Sequence, residues 1–182
     1  HWFVRRNAAE LLGEIGVAEA VPLLQGLLRG EDTRVTQAAV RALSNVQDPS
    51  AARSVHTVLR AATGDLRRAV VTALVAERDP RVVPLLGRIL DESDALGADH
   101  SIVLETLGAV GVLGGDQAVA AVDRVMRTTR WFARSRVRAV KTASLDTLRQ
   151  IGTTAATDAM LRAEANGDRL LRRLARTAGP AR

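Results

Sequence analysis

Apolar residues recur along the chain at helical spacing, in segments that come in pairs. Each pair can be aligned on one residue before its predicted turn, and these anchors are Ile15, Val46, Glu77, Leu113 and Ile151. In the first segment of each pair, apolar or small residues lie eleven, seven and three positions before the anchor, on one face of a helix. They are Val4, Ala8 and Leu12; Val35, Ala39 and Leu43; Leu66, Val70 and Leu74; Ile102, Thr106 and Val110; and Val140, Ser144 and Leu148.

The second segment of each pair has its own apolar stripe, six, nine, twelve and thirteen positions after the anchor. A single pair cannot bury two such stripes, so neighbouring pairs must stack to form a continuous core. The residues are Val21, Leu24, Leu27 and Leu28; Ala52, Val55, Val58 and Leu59; Val83, Leu86, Ile89 and Leu90; Val119, Val122, Val125 and Met126; and, more weakly, Thr157, Met160 and Ala163.

Turn signals separate these segments, and no bounded run alternates as a strand would. Asp32, Asp65 and Ser101 are predicted helix N-caps. Glycine or proline lies near each junction, at Gly16, Pro49, Pro80, Gly114, Gly115 and Gly152. The pattern predicts an all-α fold, a right-handed α–α superhelix of about five helix pairs closed by a C-terminal capping helix.

The anchors are 31, 31, 36 and 38 residues apart, so the last two intervals contain insertions. Segment 91–101 is acidic and is predicted to be a loop, and segment 128–136 carries Trp131-Phe132 in a basic stretch. We predict one solenoid domain, 1–178, and a disordered tail, 179–182. Its repeats are expected at about 1–29, 30–63, 64–97, 98–134 and 135–166, with the cap at 167–178. Because His1 stands inside a helical pattern, we expect the C-terminal part of a longer protein.

Composition narrows the chemistry. The chain has no cysteine, which excludes disulfides, a thiolate nucleophile and cysteine-bound metals, and suits a cytoplasmic location. No apolar run approaches the roughly 18 residues of a transmembrane helix, so membrane insertion is not expected. The net charge is +6, and every basic residue except Lys141 is arginine. This excess favours an acidic partner, although a GC-rich genome would produce the same bias.

The motifs resemble bacterial HEAT-repeat proteins of the phycobilisome-lyase-like class. The matching features are the Leu12-Gly13-Glu14-Ile15-Gly16 turn, the Asp48-Pro49 and Asp79-Pro80 steps, and Ala20-Val21-Pro22-Leu23-Leu24, echoed at 82–86. The opening Trp2-Phe3-Val4-Arg5-Arg6-Asn7-Ala8 is similar to the start of such domains. The resemblance implies a HEAT-type solenoid, but the class includes scaffolds, bilin-attachment proteins and a few enzymes, so it does not fix the function.

Three kinds of chemistry known among such proteins find little support here. The di-iron hydroxylase type uses repeated His-Glu dipeptides, and none of His1, His56 and His100 is followed by Glu. A bilin lyase could pair arginines with propionates, but this chain has no Tyr and few aromatics to hold a pigment. A glycosylase of this class would use an aromatic residue such as Trp131 with an Asp. We instead expect Trp131 and Phe132 to pack their turn against neighbouring helices, and Trp2-Phe3 to pack on an upstream repeat.

Arginine concentrates on the outward face of the second helices, which the resemblance implies is the concave side. Positions seven, eleven and fourteen after each anchor point away from the core, and seven of these fifteen residues are arginines. The seven, called the outward arginines below, are Arg29, Arg53, Arg60, Arg88, Arg124, Arg127 and Arg162. They would form a basic ladder. The competing interpretation is a solvated helix face whose arginines complement helix C-terminal dipoles.

These observations favour a non-catalytic protein–protein interaction scaffold that holds an acidic partner, with no cofactor and no metal. The outward arginines would be its partner-binding residues. Sequence-independent nucleic-acid binding through phosphates is the first alternative, and a lyase or other enzyme of the HEAT-like class is the second.

Overall fold

The computed structural model describes residues 1–30, 32–46, 48–61, 65–76 and 81–179. The anchor Glu77, the Asp79-Pro80 step and tail residues 180–182 lie outside this part of the chain, as does the side chain of the predicted cap Asp65. Eleven α-helices occupy the described residues, without a β-strand. They are α1 (Trp2–Ile15), α2 (Val21–Leu28), α3 (Thr33–Asn45), α4 (Pro49–Ala61), α5 (Asp65–Ala76), α6 (Val82–Glu92), α7 (His100–Leu113), α8 (Val119–Met126), α9 (Arg134–Ile151), α10 (Thr154–Asn166) and α11 (Arg169–Ala178).

The predicted all-α fold is therefore confirmed for the described residues: α1 to α10 form five successive helix pairs, and α11 follows as a last helix. Short 3₁₀ turns, Ala18–Ala20 and Asp116–Ala118, lead into α2 and α8. No helix in the described ranges has both the length and the apolar character that crossing a bilayer requires.

The chain divides into two compact units, His1–Ile89 and Leu90–Arg182, and both are layered. In the first unit, α1 packs on α3 and α3 on α5, while α2 packs on α4. In the second, α7 packs on α9 and α9 on α11, while α8 packs on α10. First helices thus stack with first helices and second with second within each unit, which is the arrangement of an α-solenoid.

The predicted apolar stripes form most of these cores, whereas Leu27 of α2 and Thr157 of α10 are only half-buried. Their members in α3, α4, α6, α7, α8 and α9 are buried, as are Val70 and Leu74 of α5. The polar members Thr106 and Ser144 are buried as well. Thr106 remains satisfied because its hydroxyl donates to the carbonyl oxygen of Ile102 at 2.7 Å.

Helix α1 departs from the predicted stripe. Val4 is 56% exposed, Ala8 is exposed and Leu12 is only half-buried. Instead Ala9 and Gly13 face α3, and a Cβ placed on Gly13 would lie 2.6 Å from Cα of Ala42. Contact with α3 this close turns the stripe partly away, and no described helix packs on the opposite side of α1.

The helix ends confirm some predicted turn residues and correct others. Asp32 caps α3 by accepting a hydrogen bond from the backbone N–H of Arg34 at 3.0 Å. Gly16 ends α1 with a φ of 68°, a left-handed conformation that favours glycine. Ser101 was predicted to cap α7 but lies inside that helix, whose N-cap residue is Asp99.

The first insertion is a shorter loop than predicted, because helix continues into both of its ends. Asp91 and Glu92 belong to α6, while His100 and Ser101 belong to α7, which leaves 93–99 between the helices. The second insertion is non-helical up to Ala133, and α9 then begins at Arg134. The first turn of α9 bonds the first loop, since Arg136 donates to the carbonyl oxygens of Leu96 and Gly97, at 3.0 and 2.9 Å. Arg130 of the second loop also pairs with Asp94 of the first.

Candidate functional site

The outward faces of the second helices are open to solvent. The set comprises seven arginines, two aspartates and six small or uncharged residues, and all fifteen are exposed. They are Pro22, Gly26, Arg29, Arg53, Thr57, Arg60, Pro84, Arg88, Asp91, Ala120, Arg124, Arg127, Asp158, Arg162 and Ala165. The same helical period that buries one stripe of each second helix therefore turns these residues outward.

Four of the outward arginines lie in the first unit: Arg29, Arg53, Arg60 and Arg88. Two of them, Arg53 and Arg88, interact electrostatically with the carboxylate of Asp48. Hydrogen bonds from Ser50, including its backbone N–H at 2.7 Å, lower the pKa of Asp48 against an opposing effect of burial. The charges of Arg53 and Arg88 lower the pKa of Asp48 further. Consecutive second helices, α4 and α6, therefore place guanidinium groups within electrostatic reach of the same anion.

The other three outward arginines lie in the second unit, where two are paired. Arg124 forms an ion pair with Asp91 at the end of α6. Arg127 pairs with Asp123 at 3.1 Å, one helical turn away. Arg162 is exposed on α10. Asp91 is itself one of the fifteen outward positions, so the basic surface of this unit is partly neutralised by its own carboxylates.

Two of these arginines lie directly after helix ends, as the competing interpretation requires. Arg29 is the C-cap residue of α2, and Arg127 is the C-cap residue of α8. A cation at a helix C-terminus is stabilised by the helix dipole, typically by about 0.3–1 kcal/mol. Arg60 and Arg124 lie in the last turns of α4 and α8, within reach of the same effect. Arg53, Arg88 and Arg162 lie further inside their helices. Dipole complementation accounts best for the arginines at the ends and least for those within.

The expectation that Trp131 and Phe132 pack against neighbouring helices is wrong. Trp131 is 85% exposed and Phe132 is 67% exposed, and the two rings contact each other edge to face with centroids 5.6 Å apart. They lie in the loop 127–133, called the aromatic loop below. Arg130 of this loop pairs with Asp94 of the neighbouring loop at 3.4 Å, while both rings face solvent.

The aromatic pair near the start of the chain has an intramolecular partner that the sequence did not indicate. The guanidinium carbon of Arg34 lies 3.5 Å from the centroid of the Trp2 ring, a cation–π contact. Arg34 also pairs with Asp32 at 2.8 Å, and this side-chain hydrogen bond lowers the pKa of Asp32. Phe3 is exposed and stacks on His1.

The three histidines stand in different surroundings. His56 is buried in α4, the ring nitrogen Nδ1 of His100 lies 2.9 Å from the carbonyl oxygen of Ala95, and His1 stacks on Phe3. Among the described residues, histidines and carboxylates nowhere group in threes as a metal site would require.

Sequence reasoning missed one buried charge. Lys141 has a side chain that is 1% exposed, and its ammonium pairs with Asp168, whose side chain is 44% exposed. Burial raises the pKa of Asp168, but hydrogen bonds from Lys141 and the Leu171 backbone N–H outweigh it, so that pKa lies below its ordinary value. The helical period of the sequence could have indicated this burial, because Lys141 stands four residues after buried Val137 and three before buried Ser144.

Comparison with curated proteins finds no match for the chain. The family model of HEAT repeats matches residues 1–74, which cover α1 to α4 and most of α5. The remaining helices continue the same pairing. The first 74 residues are thus similar in sequence to HEAT repeats, and the described helix pairs are those of an α-solenoid.

Proposed function

We propose that this protein is a non-catalytic interaction scaffold that holds an acidic protein partner on the outward arginines of its second helices. Arg53 and Arg88 in the first unit would bind carboxylates of the partner directly. In the second unit, Arg124 and Arg127 would exchange their present carboxylate partners for those of the bound protein.

The observation that carries this proposal is the charge on the outward faces of the second helices in each unit. Seven arginines against two aspartates occupy fifteen exposed positions that share a helical register. Arginine is the side chain best suited to this role, because its planar fork binds a carboxylate through two parallel hydrogen bonds. α-Solenoids use such repeated surfaces as extended binding sites.

The existing ion pairs of the second unit do not oppose this role. Both pairs are exposed, and exposed pairs of this kind contribute about 0–1 kcal/mol. A partner carboxylate can therefore compete for Arg124 or Arg127 at small cost. The first unit presents the less neutralised pair, Arg53 and Arg88, so it offers the sharper test.

The test compares two double variants of equal net charge. Arg53→Glu with Arg88→Glu reverses the proposed surface, whereas Arg172→Glu with Arg173→Glu reverses two exposed arginines of α11 outside it. Binding of a fluorescent poly-glutamate peptide is measured by anisotropy at low salt, with thermal unfolding of each variant as a folding control. We expect the first variant to lose at least about tenfold in affinity and the second to keep most of it.

Two results would overturn the proposal. Equal losses in both variants would mean that the peptide responds to total charge and not to the outward face. Tighter binding of a duplex DNA oligonucleotide than of poly-glutamate, with a steep salt dependence, would favour the nucleic-acid alternative, because phosphate-driven affinity is greatest at low salt.

A further inference from the structure

The aromatic loop presents apolar surface that no part of the described chain covers. Trp131 and Phe132 are neighbours in sequence, both protrude, and their rings are close to perpendicular, at 86°. An aromatic side chain removes roughly 150–250 Å² from water when it is covered. Two such side chains together at one loop therefore form a compact apolar anchor for something outside the molecule.

The surroundings of this anchor are positively charged. Segment 127–138 contains five arginines and no carboxylate. Arg127 pairs with Asp123 and Arg130 with Asp94, the latter at 3.4 Å. The other three are not neutralised by a carboxylate among the described residues: Arg134, Arg136 and Arg138. The partner is therefore expected to be anionic.

The aromatic loop and the first turn of α9 are bonded to the neighbouring loop 93–99, which fixes the position of the two rings. Arg136 donates to the carbonyl oxygens of Leu96 and Gly97, and Arg130 contacts Asp94 of the same neighbouring loop. Carbonyl oxygens do not cancel the charge of Arg136. Because these bonds already order the loop, binding would cost less of its conformational entropy.

The orientation of the rings separates the possible anionic partners. A single-stranded nucleic acid stacks successive bases on aromatic faces that lie roughly parallel along its path. Trp131 and Phe132 meet edge to face, so they do not offer two parallel faces to consecutive bases. A lipid interface makes no such directional demand. It accommodates Trp and Phe rings at headgroup depth, while arginines extend their guanidinium groups to the phosphates.

We infer that residues 130–138 form a peripheral contact with an anionic lipid membrane, in which Trp131 and Phe132 enter the interface and Arg134 and Arg138 bind headgroup phosphates. Such a contact requires no spanning helix. The expectation from the sequence that the chain does not insert into a membrane would then apply to spanning helices and not to this surface contact. It uses residues other than the outward arginines, so it stands apart from the proposed scaffold function.

The experiment uses vesicles of phosphatidylcholine, with or without one third phosphatidylglycerol. The full chain carries Trp2→Phe, which leaves Trp131 as the single tryptophan emitter. We expect a blue shift of its emission and co-sedimentation with the anionic vesicles but not with phosphatidylcholine alone, and we expect added salt to weaken both.

Two double variants then test which residues make the membrane contact. Trp131→Ala with Phe132→Ala, followed by sedimentation, should lower vesicle partitioning at least about tenfold. Arg134→Gln with Arg138→Gln should lower it by about tenfold or more, since each cation near an anionic surface contributes separately. The matched controls are Val112→Ala with Leu161→Ala for exposed apolar area, and Arg172→Gln with Arg173→Gln for charge. Both controls should partition like the parent chain.

The outcomes that would overturn the inference are distinct. Controls that lose as much partitioning as the loop variants would show general adsorption. An unchanged Trp131 emission with anionic vesicles would refute the contact. Quenching by a single-stranded oligonucleotide without any vesicle response would instead assign the loop to nucleic acid. None of these results bears on the poly-glutamate test, which probes Arg53 and Arg88.

Discussion

Replacing Asp168 by Asn should destabilise the protein far more than replacing Lys141 by Met. Asp168→Asn removes the negative charge but keeps a side chain able to cap α11, because Asn is as good an N-cap as Asp. The Leu171 N–H bond, 2.8 Å long in the wild type, can therefore persist. What is lost is the anion that faces Lys141, whose side chain remains almost fully buried.

The expected size follows from the burial of the two partners. Breaking a fully buried ion pair by removing one member costs about 3–5 kcal/mol. The carboxylate of Asp168 is partly exposed, which screens the attraction, so we expect about 2 kcal/mol for Asp168→Asn. Lys141→Met removes the buried charge, and the Met side chain still fills the space. The free energy of unfolding should therefore fall by less than about 1 kcal/mol.

The assay is chemical unfolding followed by circular dichroism, with hydrogen exchange of α11 peptides to read local opening. The double variant should be more stable than Asp168→Asn alone, since the apolar Met needs no counterion. If Asp168→Asn unfolds like the wild type, or if Lys141→Met is the more destabilised variant, the reasoning fails.

The pH dependence provides an independent check on the same pair. The pKa of Asp168 is lowered in the folded state, so its contribution to stability is present above the ordinary value of 3.8 and disappears as pH falls through the lower folded pKa. The stability gap between wild type and Asp168→Asn should therefore narrow below about pH 4. A gap that stays constant across the acid range would mean that the carboxylate charge is not the cause.

Two further pairs of substitutions test the packing. Gly13→Ala should destabilise the first unit by about 1–3 kcal/mol because the new methyl group would collide with the backbone at Ala42, whereas Gly26→Ala, which meets open space in α2, should be neutral or stabilising by up to about 1 kcal/mol. Leu86→Ala should cost roughly 2–5 kcal/mol because Leu86 is fully buried, and Leu12→Ala about half of that because it is half-buried. Urea midpoints measure all four, and a reversed order within either pair would contradict the packing described for that helix.

The periodicity of the sequence was enough to predict helices, their pairing and most of the core. Side chains such as Val55, Leu86 and Val122 recur with the period of a helix, and a stripe of this kind can be buried only by stacking. The prediction failed at α1, because the contact of Gly13 with Ala42 depends on how two helices approach each other. A residue without a side chain gives no hydrophobic signal of such an approach.

The errors near the candidate sites have a common physical origin in contacts between distant parts of the chain. Pattern reasoning treats aromatic residues as buried and charged residues as exposed, and Trp131 and Lys141 reverse both rules. Each exception depends on a partner far away in sequence: Arg130 contacts Asp94, and Lys141 contacts Asp168. The pairing of Arg124 with Asp91 across 33 residues was inaccessible for the same reason. Local periodicity carries no information on such pairs.

The burial of Lys141 also determines how the folded chain responds to chemical modification. It is the single lysine in the sequence, so within residues 1–182 no other side chain carries a primary amine. Lys141 would react with acylating reagents, lysine acetyltransferases and amine-directed crosslinkers only when α11 detaches from α9. The rate at which Lys141 becomes labelled would therefore report how often the last helix opens, because arginine side chains do not react with such reagents.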